Sequence, residues 1–234
     1  MSITPIVPNK RLYRRIVERL ADMIQGGQLA EGQQLPSERE LAAGLQVSRM
    51  SLREALVVLE MMGLIETRHG QGRFVRRADE SSPLSLDASQ TPENESPFTL
   101  LRARRCLEPS IAALAAIERT VGDLSNMRSI LDTAAAHVDD REQRSRGDHL
   151  LHRALADATH NHLMQTCGEY LCDFMGEALW RALDAAAEEI PGRLEEGWAE
   201  HRAIYEAIEA QDAEGAFRTV ADHLTRVEQA MLQD

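Results

Sequence analysis

Apolar residues fall into a helical rhythm over residues 10–26, where Leu12, Ile16, Leu20 and the pair Met23 and Ile24 share one face before Gly26 and Gly27 end the run. The stretch LPSERELAAGL follows. Pro36 precedes Ser37 and Glu40 stands three residues beyond it, the spacing at which serine and glutamate close two orphan backbone donors at a helix start. That short helix is expected to end near Gly44. Within a few residues VSRMSLREALVVLEMMG opens a third helix, capped by Ser48, with Leu52, Leu56 and Leu59 turned inward. Two helices joined by so tight a turn make a helix-turn-helix. LIETRHGQGRFVRR then gives two short β-type runs about His69-Gly70-Gln71-Gly72, a hairpin or wing.

The rhythm stops at ADESSPLSLDASQTPENESP, residues 78–97, which is rich in Pro, Ser and acids and has no apolar period. Beyond it helical patterns run near 98–118, 122–139, 141–159, 161–189, 192–210 and 213–232. Pro191 and Asp212 mark starts, and Gly122 and Asn161 mark junctions. Pro109 falls inside the first of these, where an interior proline costs about 3 kcal/mol, so a kink or break is expected. The expected fold is mostly α: a winged helix-turn-helix over 1–78, a linker over 79–97, and an all-helical bundle of six or seven helices over 98–234. An aromatic content of 4% against abundant Ala and Leu favours helix packing over sheet.

Net charge is −12, which argues against a nucleic-acid partner until the chain is divided. Residues 1–78 hold 12 Lys and Arg against 8 Asp and Glu, so the head is basic and the body more acidic than the whole. Phosphate attraction is local, screened beyond roughly 8 Å at physiological salt. A basic head on an acidic body is therefore compatible with double-stranded DNA. No apolar run reaches the ~18 residues of a membrane span, the N-terminus lacks a secretory apolar stretch, and Cys106, Cys167 and Cys172 show no zinc-ribbon spacing. A cytoplasmic protein with no membrane partner is expected.

On the third helix Ser48, Arg49 and Arg53 lie away from the leucine face, near the end that enters the major groove in helix-turn-helix proteins. An arginine there can fork onto guanine O6 and N7. Ser48 and Ser51 suit a phosphate or base edge at the positive helix end. Lys10, Arg11, Arg14, Arg39 and Arg73 suit phosphates, which set register without reading sequence.

In the body the polar residues inside apolar stripes carry the chemistry. Asp148 and His152 are four apart on a face shared with Leu151 and Leu155. His201 precedes Ile204, Tyr205 and Ile208 at helical spacing, and His223 joins Ala216, Val220 and Val227. Three imidazoles and a carboxylate from three helices would be costly to bury unpaired. A divalent ion, Zn²⁺, Ni²⁺ or Mn²⁺, would satisfy all four; hydrogen-bonded core histidines are the competing account. His137, His149, His160 and His162 lack such stripes and are expected at the surface or at caps. No HExxH or comparable base-plus-ligand motif accompanies the quartet, so an enzyme, such as a metal-dependent hydrolase, is not expected.

LPSERELAAGLQVSRMSLREALVVLEMMGLIETRHGQGRFV resembles the winged-helix head of the GntR family of bacterial regulators over roughly residues 10–77. That resemblance places Arg39, Ser48, Arg49, Arg53, His69 and Gly70 where the family touches operator DNA, with His69 at the hairpin tip within reach of a minor groove. FTLLRARRCLEPSIAALAA, DHLLHRALADATHN, EHRAIYEAI and AFRTVADHL are similar to segments of the FCD-type effector domain of the FadR subfamily. The family's ligand pattern then falls on Asp148, His152, His201 and His223, beside a cavity for a small carboxylate effector. Arg104 is implied as the effector's cationic partner, Asn161 is a second candidate, and Trp180 and Arg181 are candidates for the cavity wall. NKRLYRR and PFTLLRAR are similar to uronate-responsive members, which implies a sugar acid. A homodimeric repressor on a palindromic operator is the expectation; a metal sensor, in which the ion is itself the signal, and a purely structural ion are the alternatives.

Overall fold

The computed structural model describes residues 12–68, 70–76, 96–137, 139–176 and 178–232. Lys10, Arg11, His69 and most of the expected linker lie outside the described residues. The chain divides into two units, residues 1–96 and 97–234.

In the first unit α1 (Leu12–Gln25) buries Tyr13, Ile16, Val17, Leu20 and Ala21. The stripe is turned from the expected one. At 100° per residue Tyr13 falls between Ile16 and Val17, and Leu12 is left 46% exposed at the helix start. The capping box at α2 (Glu38–Leu45) is complete, Glu40 N donating to Ser37 Oγ and Ser37 N to Glu40 Oε2. α2 runs past Gly44 to Leu45, and Gln46 turns the chain in the left-handed region at φ 56°. Ser48 caps α3 (Arg49–Met61), which buries Leu52, Leu56 and Leu59 against α1. β1 (Ile65–Arg68) and β2 (Gly72–Val75) pair antiparallel from Ile65 opposite Val75 to Arg68 opposite Gly72. Gly70 and Gly72, at φ 70° and 106°, let the wing reverse.

In the second unit α4 (Pro97–Glu118) continues through Pro109 without the expected break. Pro109 and the nearby Glu108 and Ile111 are buried, and α4 packs along α10 (Ala213–Leu232), burial that offsets the lost backbone bond. α5 (Val121–Ala136), α6 (Arg141–Asp157) and α9 (Arg193–Glu209) lie close to their expected spans. The span 161–189 does not hold as one helix. Gly176 ends α7 (His162–Met175), and α8 (Ala178–Glu188) begins anew. On α8 Trp180 and Leu183 are buried.

α6 and α7 approach so closely that a Cβ on Gly168 would stand 2.3 Å from the Ala156 Cβ. Gly168→Ala is expected to cost about 1–3 kcal/mol, overpacking outweighing the helix preference of roughly 1 kcal/mol that alanine would bring. Chemical denaturation checks this against Gly122→Ala, where the nearest atom is 3.5 Å away and little change is expected.

Candidate nucleic-acid interface and metal centre

Arg49 is exposed at the first position of α3, and Arg53, one turn on, is half-buried. Ser48 and Ser51 are engaged with each other: Ser51 N donates to Ser48 Oγ at 3.0 Å, and the two hydroxyls lie 2.9 Å apart. Their first task is the cap. Arg39 is exposed in the first turn of α2, and Gly70 is exposed at the wing. Arg73 of β2 donates to Glu38 Oε1 at 2.6 Å, and Arg53 Nε lies 3.5 Å from the same oxygen. Burial would raise the Glu38 carboxyl, but its hydrogen bond to Arg73 and the charges of Arg53 and Arg73 hold it below the usual range. Sequence reading missed Glu38, whose only signal is an acid beside two arginine-bearing elements.

In the second unit the inward stripes of α6, α9 and α10 converge. Ligand atoms of Asp148, His152, His201 and His223 lie within 4.8 Å of one another, close to twice a metal–ligand bond of roughly 2.0–2.2 Å. The three imidazoles are buried and Asp148 is half-buried. Asp148 Oδ1 stands 3.0 Å from His201 Nε2 and 3.5 Å from His152 Nε2, yet neither nitrogen has an aligned hydrogen bond among the described residues. Buried nitrogens gathered on a carboxylate without bonding it fit a shared cation. The donor set and its burial fit a divalent ion such as Zn²⁺, Ni²⁺ or Mn²⁺.

A second carboxylate stands behind two of the rings. His223 Nδ1 donates to Glu200 Oε2 at 2.7 Å, which leaves Nε2 for the cluster. His152 Nδ1 lies 2.7 Å from Glu108 Oε2 in an ion-pair contact. Such carboxylates fix ring orientation and raise ligand basicity. Glu108 also accepts from Arg104 Nε at 2.6 Å, and Glu200 accepts from Arg193 and Arg226. Burial alone would lower His152, but the charges of Glu108 and Asp148 push it up to about 9. His223 is lowered to about 4, chiefly by burial and by the neighbouring imidazoles. Burial would raise Asp148 and Glu200; the histidines they face outweigh it, holding Asp148 well below its ordinary value and Glu200 at about 2. Glu108 and Glu200 escaped the sequence reading, though each is a lone acid on an inward helix face.

Asp148, His201 and His223 border a cavity of about 70 Å³ that opens to solvent, with Arg104, Arg193, Trp180 and Trp198 among its walls. Arg104 is 1% exposed and lies over the Trp180 ring at 5.1 Å. Trp198 Nε1 is buried without a hydrogen-bond partner among the described residues. Asp184, also in the wall, is pushed up to about 7 by burial and by the charge of Asp148. Two expectations fail here. Asn161 is exposed, caps α7 by accepting from Leu163 N and Met164 N, and does not line the cavity, because its one carbonyl oxygen is spent on the helix start. Arg181, about 100° round the helix from Trp180, is exposed and does not line the cavity.

Comparison with known proteins places the two units. The family described as bacterial regulatory proteins, gntR family, matches residues 12–75, and the FCD domain matches residues 99–226. The chain is 33% identical to the "Uxu operon regulator" of Haemophilus influenzae, over 93% of this chain and 80% of that protein. It is 35% identical to the "HTH-type transcriptional regulator LutR" of Bacillus subtilis, over 89% and 96%. Among solved structures it is similar to "E. coli McbR/YncC", with a TM-score of 0.50, 22% identity and coverage of 95% and 98%, a likeness of fold.

Proposed function

This chain belongs to the GntR family of bacterial regulatory proteins and carries an FCD domain, and from that membership we propose that it represses a catabolic operon until a small carboxylate enters the body. It is a DNA-binding transcription regulator, not an enzyme. Two heads of a homodimer would meet the half-sites of a short palindrome in the cytoplasm. Arg49 and Arg53 would read base edges in the major groove. Arg39, Gly70 and the segments carrying Lys10, Arg11 and His69 would hold phosphates and the minor groove. Ser48 and Ser51 would add hydroxyl contacts from the helix start.

The observation that carries the effector half is a cavity lined by Asp148, His201 and His223 of the quartet together with Arg104. Asp148, His152, His201 and His223 would hold the ion, which when bound supplies a positive centre for a carboxylate oxygen. Arg104, kept charged by Glu108, adds a second positive wall. Trp198 offers an indole N–H, and Asp184, titrating near neutrality, offers a carboxyl that can donate or accept. Those polar groups suit hydroxyls, so a hydroxylated acid of the sugar-acid type fits the walls better than a bare alkyl acid. Regulation needs an effector that binds the two states unequally, typically by 1–3 kcal/mol.

The test is selection of duplexes from a randomised library by the full chain, followed by binding to the selected duplex with and without a panel of sugar acids and hydroxy acids. Expected are a two-fold symmetric consensus and a loss of affinity on adding one class of acid. Failure to prefer any duplex over random competitor would overturn the reading. Affinity that follows the ion alone, with every acid silent, would transfer the signal to the metal.

A further inference from the structure

α2, α3 and the wing meet at one carboxylate oxygen. Glu38, the first residue of α2, receives Arg73 of β2 at 2.6 Å on Oε1, with Arg53 of α3 3.5 Å away. The three side chains are 19%, 19% and 29% exposed, a partly shielded setting in which such pairs are stronger than at an open surface. The wing is also held by bonds that do not involve Glu38. Leu35 N donates to Arg73 O at 2.8 Å, Val75 N to Gln33 O at 2.9 Å, and Gln34 Nε2 to Gln71 O at 2.6 Å. Glu38 also suits the first turn of α2, but an acid set among groups meant for a polyanion works against raw DNA affinity. Its contact with two arginines at once points to a further use.

We infer that Glu38 is a positioning residue for DNA recognition, which holds the Arg53 and Arg73 guanidinium groups in one orientation and thereby raises the ratio of operator binding to random DNA binding. The inference rests on the reading of the head as a DNA reader. A guanidinium carries five donors in a rigid fork, so committing one edge to Glu38 aims the remaining edge. An arginine not held in this way can swing to whichever phosphate is nearest, which strengthens binding to any sequence alike. Glu38 also cancels part of the local positive charge that a random duplex would feel. Its carboxyl stays ionised through the working pH range because Arg73 and Arg53 outweigh its burial.

The probes are the duplex selected by the wild-type chain and a scrambled version of it, titrated at several salt concentrations. Glu38→Gln is expected to raise affinity for the scrambled duplex by about 3–10-fold without raising it for the selected one. The ratio should fall about tenfold, and the salt dependence on scrambled DNA should steepen by about one to two ions. Glu38→Asp keeps the charge but withdraws the carboxylate, so the ratio should fall with no gain on scrambled DNA. Glu66→Gln removes one charge from the wing, where Glu66 pairs with Arg68 and Arg76, and should leave the ratio within about twofold. If Glu38→Gln and Glu66→Gln shift both duplexes alike, only bulk charge is at work and the inference falls. It falls too if both Glu38 variants weaken the two duplexes in parallel, the mark of a brace. Should Glu38→Gln not fold, Glu38→Asp decides. A wild-type chain without any preferred duplex defeats the proposed function itself; a preference kept intact in the Glu38 variants defeats only this inference.

Discussion

Replacing His201 with alanine is expected to strip the body of its ion and abolish the response to acid, while operator binding stays within about threefold of wild type. His201 is 7% exposed and its Nε2 faces Asp148 Oδ1 at 3.0 Å, so the change removes one of the four proposed ligands from the cluster. Without it the carboxylate and two rings left behind form a site with an open edge. Metal content by elemental analysis and DNA affinity with and without the acid measure the two effects separately. A melted body with unchanged specificity would instead assign the ion a purely structural role. Glu200→Gln should weaken metal affinity by about 10–100-fold, since Glu200 holds the ring of His223 by a hydrogen bond and is not among the four proposed ligands. Acidity acts in the same direction. In the metal-free chain His152 keeps its proton up to about pH 9, whereas His223, lowered to about 4, is already neutral. Binding at pH 7 therefore releases the His152 proton, and metal affinity should rise roughly tenfold per pH unit until pH nears 9. A flat profile between pH 6 and 8 would mean that His152 is neutral before the ion arrives.

Arg49→Ala is the larger test of the head. Loss of a guanine-reading fork costs about 1–3 kcal/mol, so affinity for the selected duplex should drop by roughly 5–150-fold, and discrimination should relax at one position of each half-site. Lys10→Ala is expected to behave differently, weakening all duplexes evenly and lowering the salt dependence by about one ion. Competition with duplexes altered one base pair at a time distinguishes the two. A uniform loss from both variants would mean that α3 does not present Arg49 to base edges.

Much of this was legible in the sequence because local signals sufficed. Ser37 and Glu40 announce the start of α2 by spacing alone, and a capping box closes within four residues whatever surrounds it. Ser48 and the leucines of α3 are equally local. The errors lie where distant packing overrides local preference. Pro109 predicts a kink or a break, and α4 runs through it without a break while packing along α10. The apolar rhythm of 161–189 is continuous, yet Gly176 divides it. Asn161 reads equally well as a ligand donor or a cap, and only its position in space assigns it to the cap.

By itself the sequence determined which faces of which helices carry charge, which carry leucine, and that Asp148, His152, His201 and His223 sit on apolar stripes. Helical periodicity makes each of these a property of neighbours three and four residues apart. Tertiary structure alone decided that those stripes point at one another, that Glu108 and Glu200 stand behind the rings, and that a single oxygen of Glu38 lies between α3 and the wing. These pairings join residues far apart along the chain, and the angles and distances at which packed elements cross, which no short-range pattern encodes, bring them together or leave them apart.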